Sequence, residues 1–212
     1  MTIVASDDFV GLGAADPNGR TLDNGLGGSG TRTWSSTNMF GTGSNAISPV
    51  GGGAGIGVAY SGVAKGRILF TLGDAGNNIV LWGYSNNVHD VPTTGYFLLL
   101  VGTSSLRIRD QGGTDVATKS IAALSTSTTY FAQFELNGTD LIARILNNDE
   151  SLYDSVSYTP GSYPSDGGNW GYGEFFAGAP TALVFTNFSI DDLAGGQAPY
   201  NPWPGRGPVL AS

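Results

Sequence analysis

The sequence contains no cysteine and a single histidine, His89, among its 212 residues. Without cysteine there is neither a disulfide framework nor a thiolate metal site, and one histidine is too few for a multi-histidine metal centre. His89 lies in the loop-like stretch SNNVHDVPTTG, and no Gly-x-Ser-x-Gly motif accompanies it. These absences argue against a Ser-His-Asp hydrolase, and we expect a non-enzymatic protein without a cofactor.

Residues that favour helices are also scarce. The chain has only two Lys, three Glu and three Gln, the residue types from which surface helices are usually built. Ser, Thr, Asn and Asp stand in their place, together with 34 Gly and 10 Pro. Such a composition is typical of many short strands joined by turns, so we predict an all-β domain.

Basic clusters and long apolar runs are missing as well. The net charge is −8, and no stretch concentrates the nine Lys and Arg residues, so nucleic acid is not an expected partner. No apolar run approaches the roughly 20 residues that span a bilayer, so no membrane association is expected. The start MTIVASDDF lacks the basic and apolar regions of a signal peptide, which predicts synthesis and folding in the cytoplasm.

The rest of the sequence shows the alternation of apolar and polar residues that is typical of β-strands. Apolar runs separated by turn residues recur about every ten residues, the spacing of a β-sandwich or barrel. In TYFAQFELNGTDLIARIL, apolar residues occupy every second position on both sides of Asn137-Gly138, a dipeptide that favours a tight hairpin turn. The alternation predicts that Tyr130, Ala132, Phe134 and Leu136 share one face of the first strand. On the second strand it places Leu141, Ala143 and Ile145 on one face and Ile142, Arg144 and Leu146 on the other.

Two further segments carry strand patterns. The segment GYFLLLV is apolar throughout, which predicts a strand covered on both faces. In ALVFTNFSIDDL the alternation predicts that Ala182, Val184, Phe188 and Ile190 share one face. The predicted fold is therefore a two-sheet antiparallel β-sandwich over residues 1–194, followed by an extended segment over 195–212.

The order of these elements resembles the concanavalin A-like lectin/glucanase superfamily, in its laminin-G type jelly roll. The resemblance covers roughly residues 3–193 and rests on DDF near the start, RTLDNGLGGSGTRTW, the hairpin around FELNGTDLIARI, and FTNFSIDDL as a strand returning beside the N-terminus. The opening pattern is similar to that of domains in bacteriophage virion proteins. Its positions are held here by Arg20, Thr21, Asp23, Gly25 and Trp34, with Leu22 where proline is usual.

The resemblance allows an enzyme, a lectin or an inert scaffold. Glucanases of this superfamily carry acidic residues at alternate positions of one strand, so that two carboxylates flank one glycosidic bond. In this chain Glu135, Glu150 and Glu174 are isolated from one another, and none has an acidic neighbour two residues away. A glycosidase of that type is therefore not expected.

Two binding alternatives remain open. The resemblance implies a structural calcium ion in many relatives, for which Asp7 or Asp8 and Asp191 or Asp192 are candidates; alternatively, these residues simply end strands. A carbohydrate site would use aromatic rings that stack on pyranose faces. The candidate residues for it are Trp82, Tyr84, Trp170 and Tyr172.

The C-terminal segment PYNPWPGRGPVLAS has the composition of a contact arm. Its prolines favour an extended path whose ordering entropy is partly removed in advance, and its aromatic residues are typical interface anchors. The expected partner-contact residues are Tyr200, Pro202, Trp203, Pro204 and Arg206; alternatively, the segment folds back over its own sandwich. We refer to residues 199–212 as the arm.

These observations together predict a bacteriophage virion structural protein, such as a capsid decoration or cement protein that forms homo-oligomers on the particle and contacts other virion proteins. A tail or fibre component with a carbohydrate-binding sandwich is the alternative.

Overall fold

The computed structural model describes residues 2–22, 35–50, 54–60, 64–85, 95–110, 112–137, 139–161, 168–174 and 183–193. Within these ranges the chain forms strands and turns without a helix. Accordingly, no helix in the described part of the chain is suited to crossing a membrane. The strands are β1 (Thr2–Asp7), β2 (Ser35–Thr37), β3 (Met39–Gly41), β4 (Ile47–Pro49), β5 (Gly55–Ala59), β6 (Ala64–Thr71), β7 (Asn78–Ser85), β8 (Tyr96–Val101), β9 (Ser105–Asp110), β10 (Asp115–Ser120), β11 (Thr129–Asn137), β12 (Asp140–Asn147), β13 (Leu152–Tyr158), β14 (Asn169–Glu174) and β15 (Val184–Asp192).

The strands form two antiparallel sheets that face each other. The eight-stranded sheet has the order β13-β12-β11-β6-β15-β4-β3, and β1 also pairs with β15. The seven-stranded sheet has the order β10-β9-β8-β7-β14-β5-β2. The predicted all-β, two-sheet sandwich is confirmed, and so is the return of the last strand beside the first.

The hairpin of β11 and β12 follows the predicted alternation. The inward residues, among them Phe134 and Ala143, are fully buried, while Gln133 and Arg144 pair on the opposite face. The last paired residues are Asn137 and Asp140, so the reversal lies one residue later than the Asn-Gly dipeptide predicts. The side chain of Leu136 lies outside the described residues.

The predicted face of β15 is only partly correct. Phe188 and Ile190 are buried, but Phe185, rather than the predicted Val184, is the buried residue at the start of the strand. The pairing with β6 shifts between Thr186 and Ser189, and Asn187 within this bulge has a φ of 48°. A bulge adds one residue to the strand and reverses the alternation beyond it. Residue 182 lies outside the description.

Trp170 lies at the centre of the core, between the two sheets. A Cβ built on Gly66 of β6 would lie 2.7 Å from the indole, and one built on Gly83 of β7 would lie 2.6 Å from it. Both glycines therefore make room for one ring, which explains why the otherwise apolar inner faces of β6 and β7 each carry a residue without a side chain. Trp170 is completely buried by this arrangement.

Candidate interaction surfaces

A buried ion pair holds the segment that follows β1. The side chain of Asp7 is fully buried and accepts a hydrogen bond from the backbone N–H of Phe9 at 2.8 Å. Arg20 donates to both carboxylate oxygens, at 3.2 Å from Nε and 3.1 Å from Nη2. The Nη2 group also donates to the carbonyl oxygen of Val10 at 3.0 Å. The DDF and RT parts of the opening pattern are thus joined in space, where they stabilise the loop.

Asp7 and Asp191, two of the four aspartates considered for calcium, face opposite sides of their sheet. Asp7 is paired across the strands with the buried Phe188, whereas Asp191 is paired with Ile3, which is 44% exposed. Asp191 forms a salt bridge with Lys65 at 2.9 Å. The described residues contain no group of three or more potential metal ligands, and the positions of Asp7 and Asp191 do not fit a shared ion.

Asp8 was the alternative to Asp7 among the calcium candidates. Asp8 is exposed, and its Oδ1 accepts a hydrogen bond from the backbone N–H of Val10 at 3.0 Å. The side chain of Asp192 lies outside the described residues. Asp23, Gly25 and Trp34 also lie outside them.

Three of the four aromatic residues proposed for carbohydrate stacking are core residues. Trp82, Trp170 and Tyr172 are each no more than 1% exposed, so their rings present no open face to a sugar. Tyr172 packs against Phe185 and Phe188, with ring centroids 5.1 and 5.2 Å away. Burial, with a smaller contribution from the charge of Asp7, raises the pKa of Tyr172 well above its usual value. The fourth residue, Tyr84, belongs to β7, but its side chain lies outside the described residues.

The three glutamates have separate structural surroundings. Glu135 accepts hydrogen bonds from Gln133, at 3.1 Å, and from Arg144. Glu174 is enclosed on the inner side of the seven-stranded sheet, at 4% exposure. Glu150 is exposed at the turn after β12, where its Oε2 lies 3.3 Å from Nη2 of Arg67. His89, the candidate base of a hydrolase, lies outside the described residues.

The outer face of the eight-stranded sheet carries a network of charged and apolar groups. Arg67 extends over the ring of Phe131, with 4.4 Å between the guanidinium carbon and the ring centroid. The neighbouring Gln133 is only 7% exposed although it points away from the core. Lys65 and Asp191 continue the row of charges through their salt bridge. Because opposite charges are paired along it, this face presents little net charge to a partner.

The outer face of the seven-stranded sheet is different, because it is apolar and yet buried. Val80 and Trp82 of β7 and Phe97 and Leu99 of β8 form a second cluster, which we call the apolar band. These side chains alternate with the residues that enter the main core, yet each is at most 2% exposed. The prediction that GYFLLLV is covered on both faces is therefore confirmed.

Glycines form the surface beside the apolar band. Gly171 and Gly173 of β14 pair with Gly57 and Gly55 of β5, and we call these four residues the glycine floor. A Cβ on Gly171 would lie 2.4 Å from the indole of Trp82, so the ring extends over the neighbouring strand. The indole Nε1 is buried and donates no hydrogen bond to a described residue. The high glycine content of the chain is the one sequence feature that agrees with this floor.

Two arginines border the apolar band on its other side. Arg107 and Arg109 of β9 each bind one oxygen of Asp115 at 2.6 Å, and Arg107 also donates to Ser105 at 3.0 Å. The hydrogen bond from Arg109 is the largest of the contributions that lower the pKa of Asp115 below its usual 3.8. Sequence inspection did not single out this cluster, because its members lie on two strands and become neighbours only in the sheet.

The cluster predicts an acid dependence of stability. We expect Asp115→Asn to lower the free energy of unfolding by about 1 kcal/mol at pH 7, since the pair is partly exposed. A carboxylate whose pKa is depressed in the fold stabilises it above the unfolded-state value and ceases to do so as pH falls through the lower folded-state value. The difference between variant and parent should therefore shrink below about pH 3.8. Urea unfolding at several pH values measures it, and a difference that is constant down to pH 2.5 would contradict the assignment.

The predicted arm residues Tyr200, Pro202, Trp203, Pro204 and Arg206 lie outside the described residues. Their role as partner contacts, and the division between the sandwich (1–194) and the extended segment (195–212), remain predictions.

Comparisons with known proteins identify the fold and leave the family open. No family model and no curated protein matches the chain. Among solved structures, the exoplasmic/lumenal domain of VIP36 bound to calcium and Man2 is 12% identical, with a TM-score of 0.60 and coverage of 88% of this chain and 89% of that one. A protein of unknown function from Shewanella oneidensis MR-1 is 16% identical, with a TM-score of 0.55 and coverage of 90% and 87%. Lectin I-B4 of Griffonia simplicifolia, in its metal-free form, is 10% identical, with a TM-score of 0.52 and coverage of 76% and 92%. The fold is thus that of the concanavalin A-like lectins.

Proposed function

We propose that this lectin-like sandwich is a non-enzymatic structural protein of a bacteriophage virion, and specifically a decoration or cement protein on the capsid exterior. The observation that carries the proposal is the contact between Asp7 and Arg20. It joins two parts of the opening pattern that resembles phage virion domains, and it uses them to stabilise the fold. The three glutamates are also engaged in structural contacts or enclosed, which agrees with a protein that works through its surfaces.

The partner contacts in this proposal are made by the arm. Tyr200 and Trp203 would be the anchors, because aromatic residues dominate the binding energy of many interfaces. The prolines would limit the entropy lost when the arm becomes ordered. Copies that touch both the major capsid protein and each other would gain avidity, so modest affinity per copy would be sufficient.

The arm proposal makes a direct prediction about particle binding. The full chain with Tyr200→Ala and Trp203→Ala should bind particles that lack the protein at least about tenfold more weakly, because two interface anchors together contribute more than 1.4 kcal/mol. Co-sedimentation of a concentration series with such particles measures the affinity, and Val209→Ala serves as the matched control. Unchanged occupancy in the double variant would show that the arm is not the attachment device.

A carbohydrate-binding component of the tail or fibre is the second candidate. The solved structure of VIP36 with Man2 shows that a sandwich of this type holds a saccharide in that protein. Here the ligand would need residues other than the buried Trp82, Trp170 and Tyr172. A glycan array, followed by titration with millimolar saccharide, separates the candidates. Saturable binding together with antibody labelling of the tail would favour this alternative over decoration of the capsid.

A further inference from the structure

The apolar band requires a cover. Side chains on the outer face of a sheet are shielded only in part by their neighbours within the sheet, since their tips extend away from it. The side chains of Trp82, Phe97 and Leu99 are nevertheless at most 2% exposed. The described strands in extensive contact with β7 and β8 are their neighbours in the sheet and strands on the inner side. These strands do not shield the outer tips of the band, so a further segment is needed as its cover.

We propose that the arm occupies the apolar band and the glycine floor. This inference deepens the proposed function by identifying the surface that receives the arm. Its second part, the exchange of arms between copies on a particle, rests on the proposed function. In the isolated protein the arm would cover its own domain. On a particle, where copies are adjacent, the arm of one copy would enter the same surface on the next, and this exchange would link them.

The chemistry of the arm suits this surface. A segment that lies on an apolar face must not bury unpaired backbone N–H groups, and proline has none. Four of the arm's fourteen residues are proline, and Arg206 is its only charged side chain. Extended proline-rich segments dock in grooves lined by aromatic side chains. Their carbonyl groups accept hydrogen bonds, and the buried Nε1 of Trp82 is a donor that binds no described residue.

The glycine floor adjoins the apolar band and carries no side chains of its own. The indole of Trp82 extends over Gly171, where a Cβ would lie 2.4 Å from the ring, and a Cβ on Gly173 would lie 2.1 Å from the carbonyl oxygen of Ala54. Glycine within a strand commonly marks a place where another segment approaches the backbone closely. The arm would therefore lie on the apolar band itself, with the indole of Trp82 as the part of this surface next to the floor.

The arm can reach this surface from the end of β15. Asp192 is paired with Ala64, the first residue of β6, and residues 61–63 connect β6 to the end of β5 near Ala59. The end of β15 and the Ala59 end of the floor therefore lie at the same end of the sandwich. The eleven residues from Asp192 to Trp203 span up to about 35 Å when extended, which exceeds the roughly 10 Å between packed sheets.

Cross-linking of the full chain tests the inference, and the absence of native cysteine makes it simple. Asn201→Cys in the arm is combined with Ala59→Cys, which lies on the outer face at the end of the floor, and treated with a short bis-maleimide. The matched control combines Asn201→Cys with Ser157→Cys, an exposed position on the outer face of the other sheet. We expect at least fivefold more cross-linking with Ala59→Cys, within one chain in dilute protein. Equal yields, or a preference for Ser157→Cys, would overturn the inference.

A second measurement requires no engineered cysteine. Removal of the anchors, by Tyr200→Ala with Trp203→Ala in the full chain, should expose the apolar band and raise the fluorescence of bound anilinonaphthalene sulfonate severalfold, whereas Val209→Ala should not. Unchanged fluorescence would mean that another segment, such as the β7–β8 connection 86–94, forms the cover, and it would overturn the inference. Both experiments use the isolated protein and so do not depend on the phage role. If Asn201→Cys cross-links preferentially to Ala59→Cys, but the variant with Tyr200→Ala and Trp203→Ala binds particles as well as the parent does, only the proposed function is refuted.

Discussion

Gly83→Ala should destabilise the protein by about 3 kcal/mol, because its new methyl group would have to occupy space held by a buried ring. The Cβ would lie 2.6 Å from Trp170, which is held on its other side by Gly66 of the facing sheet. The ring is fully buried and cannot move aside without separating the sheets. Urea unfolding of parent and variant measures the loss.

A double substitution tests the cause. If the clash with the indole is responsible, Gly83→Ala should cost less than about 1 kcal/mol in a Trp170→Phe background, because the smaller ring frees the space. Gly161→Ala is the matched control, since nothing lies within 4 Å of a Cβ there, and its effect should stay within about 0.5 kcal/mol. Equal costs of Gly83→Ala in both backgrounds would show that the strain arises elsewhere.

Arg20→Ala should also have a large effect, a loss of about 3–5 kcal/mol, since it removes the two guanidinium hydrogen bonds from the buried carboxylate of Asp7. The side chain of Asp7 has no exposure, so water cannot replace the guanidinium without opening the loop. Thermal and urea unfolding of the variant measure the change.

The matched comparison is a salt bridge at the surface. Lys119→Ala removes the cation from Asp154, but Lys119 is 47% exposed, and the loss should stay below about 1 kcal/mol. Asp7→Asn in the Arg20→Ala background should recover part of the stability, because a neutral amide costs less to bury than a carboxylate that has lost the guanidinium. If Arg20→Ala and Lys119→Ala lower the free energy of unfolding equally, the ion pair between Asp7 and Arg20 would contribute no more than an ordinary surface salt bridge.

The candidate surfaces could be predicted only in part. The apolar run of β8 predicted a strand covered on both faces, because only a buried strand tolerates apolar residues at every position. The arginine pair at Asp115 and the glycine floor were not predicted. Their members are separated in the sequence, and only the pairing of strands brings them side by side.

The short strands β2 and β3 show a related limit. Three residues are too few for a period of two to be recognised, and these strands exist because a neighbouring strand pairs with them. The position of Phe185 was missed for a different reason. The bulge at Asn187 changes the phase of the strand, and sequence alternation assumes a constant phase.

The amino-acid sequence by itself determined the class of fold, because scarce helix formers, abundant turn residues and a period of two are local properties that any strand-forming chain must satisfy. It also predicted which residues of each strand of the β11–β12 hairpin share a face. The tertiary structure alone decided which surfaces remain for partners. The burial of Trp82, Trp170 and Tyr172, the contact between Asp7 and Arg20, and the row of glycines shared by β5 and β14 all depend on contacts between distant segments. Such contacts leave no periodic trace in the sequence.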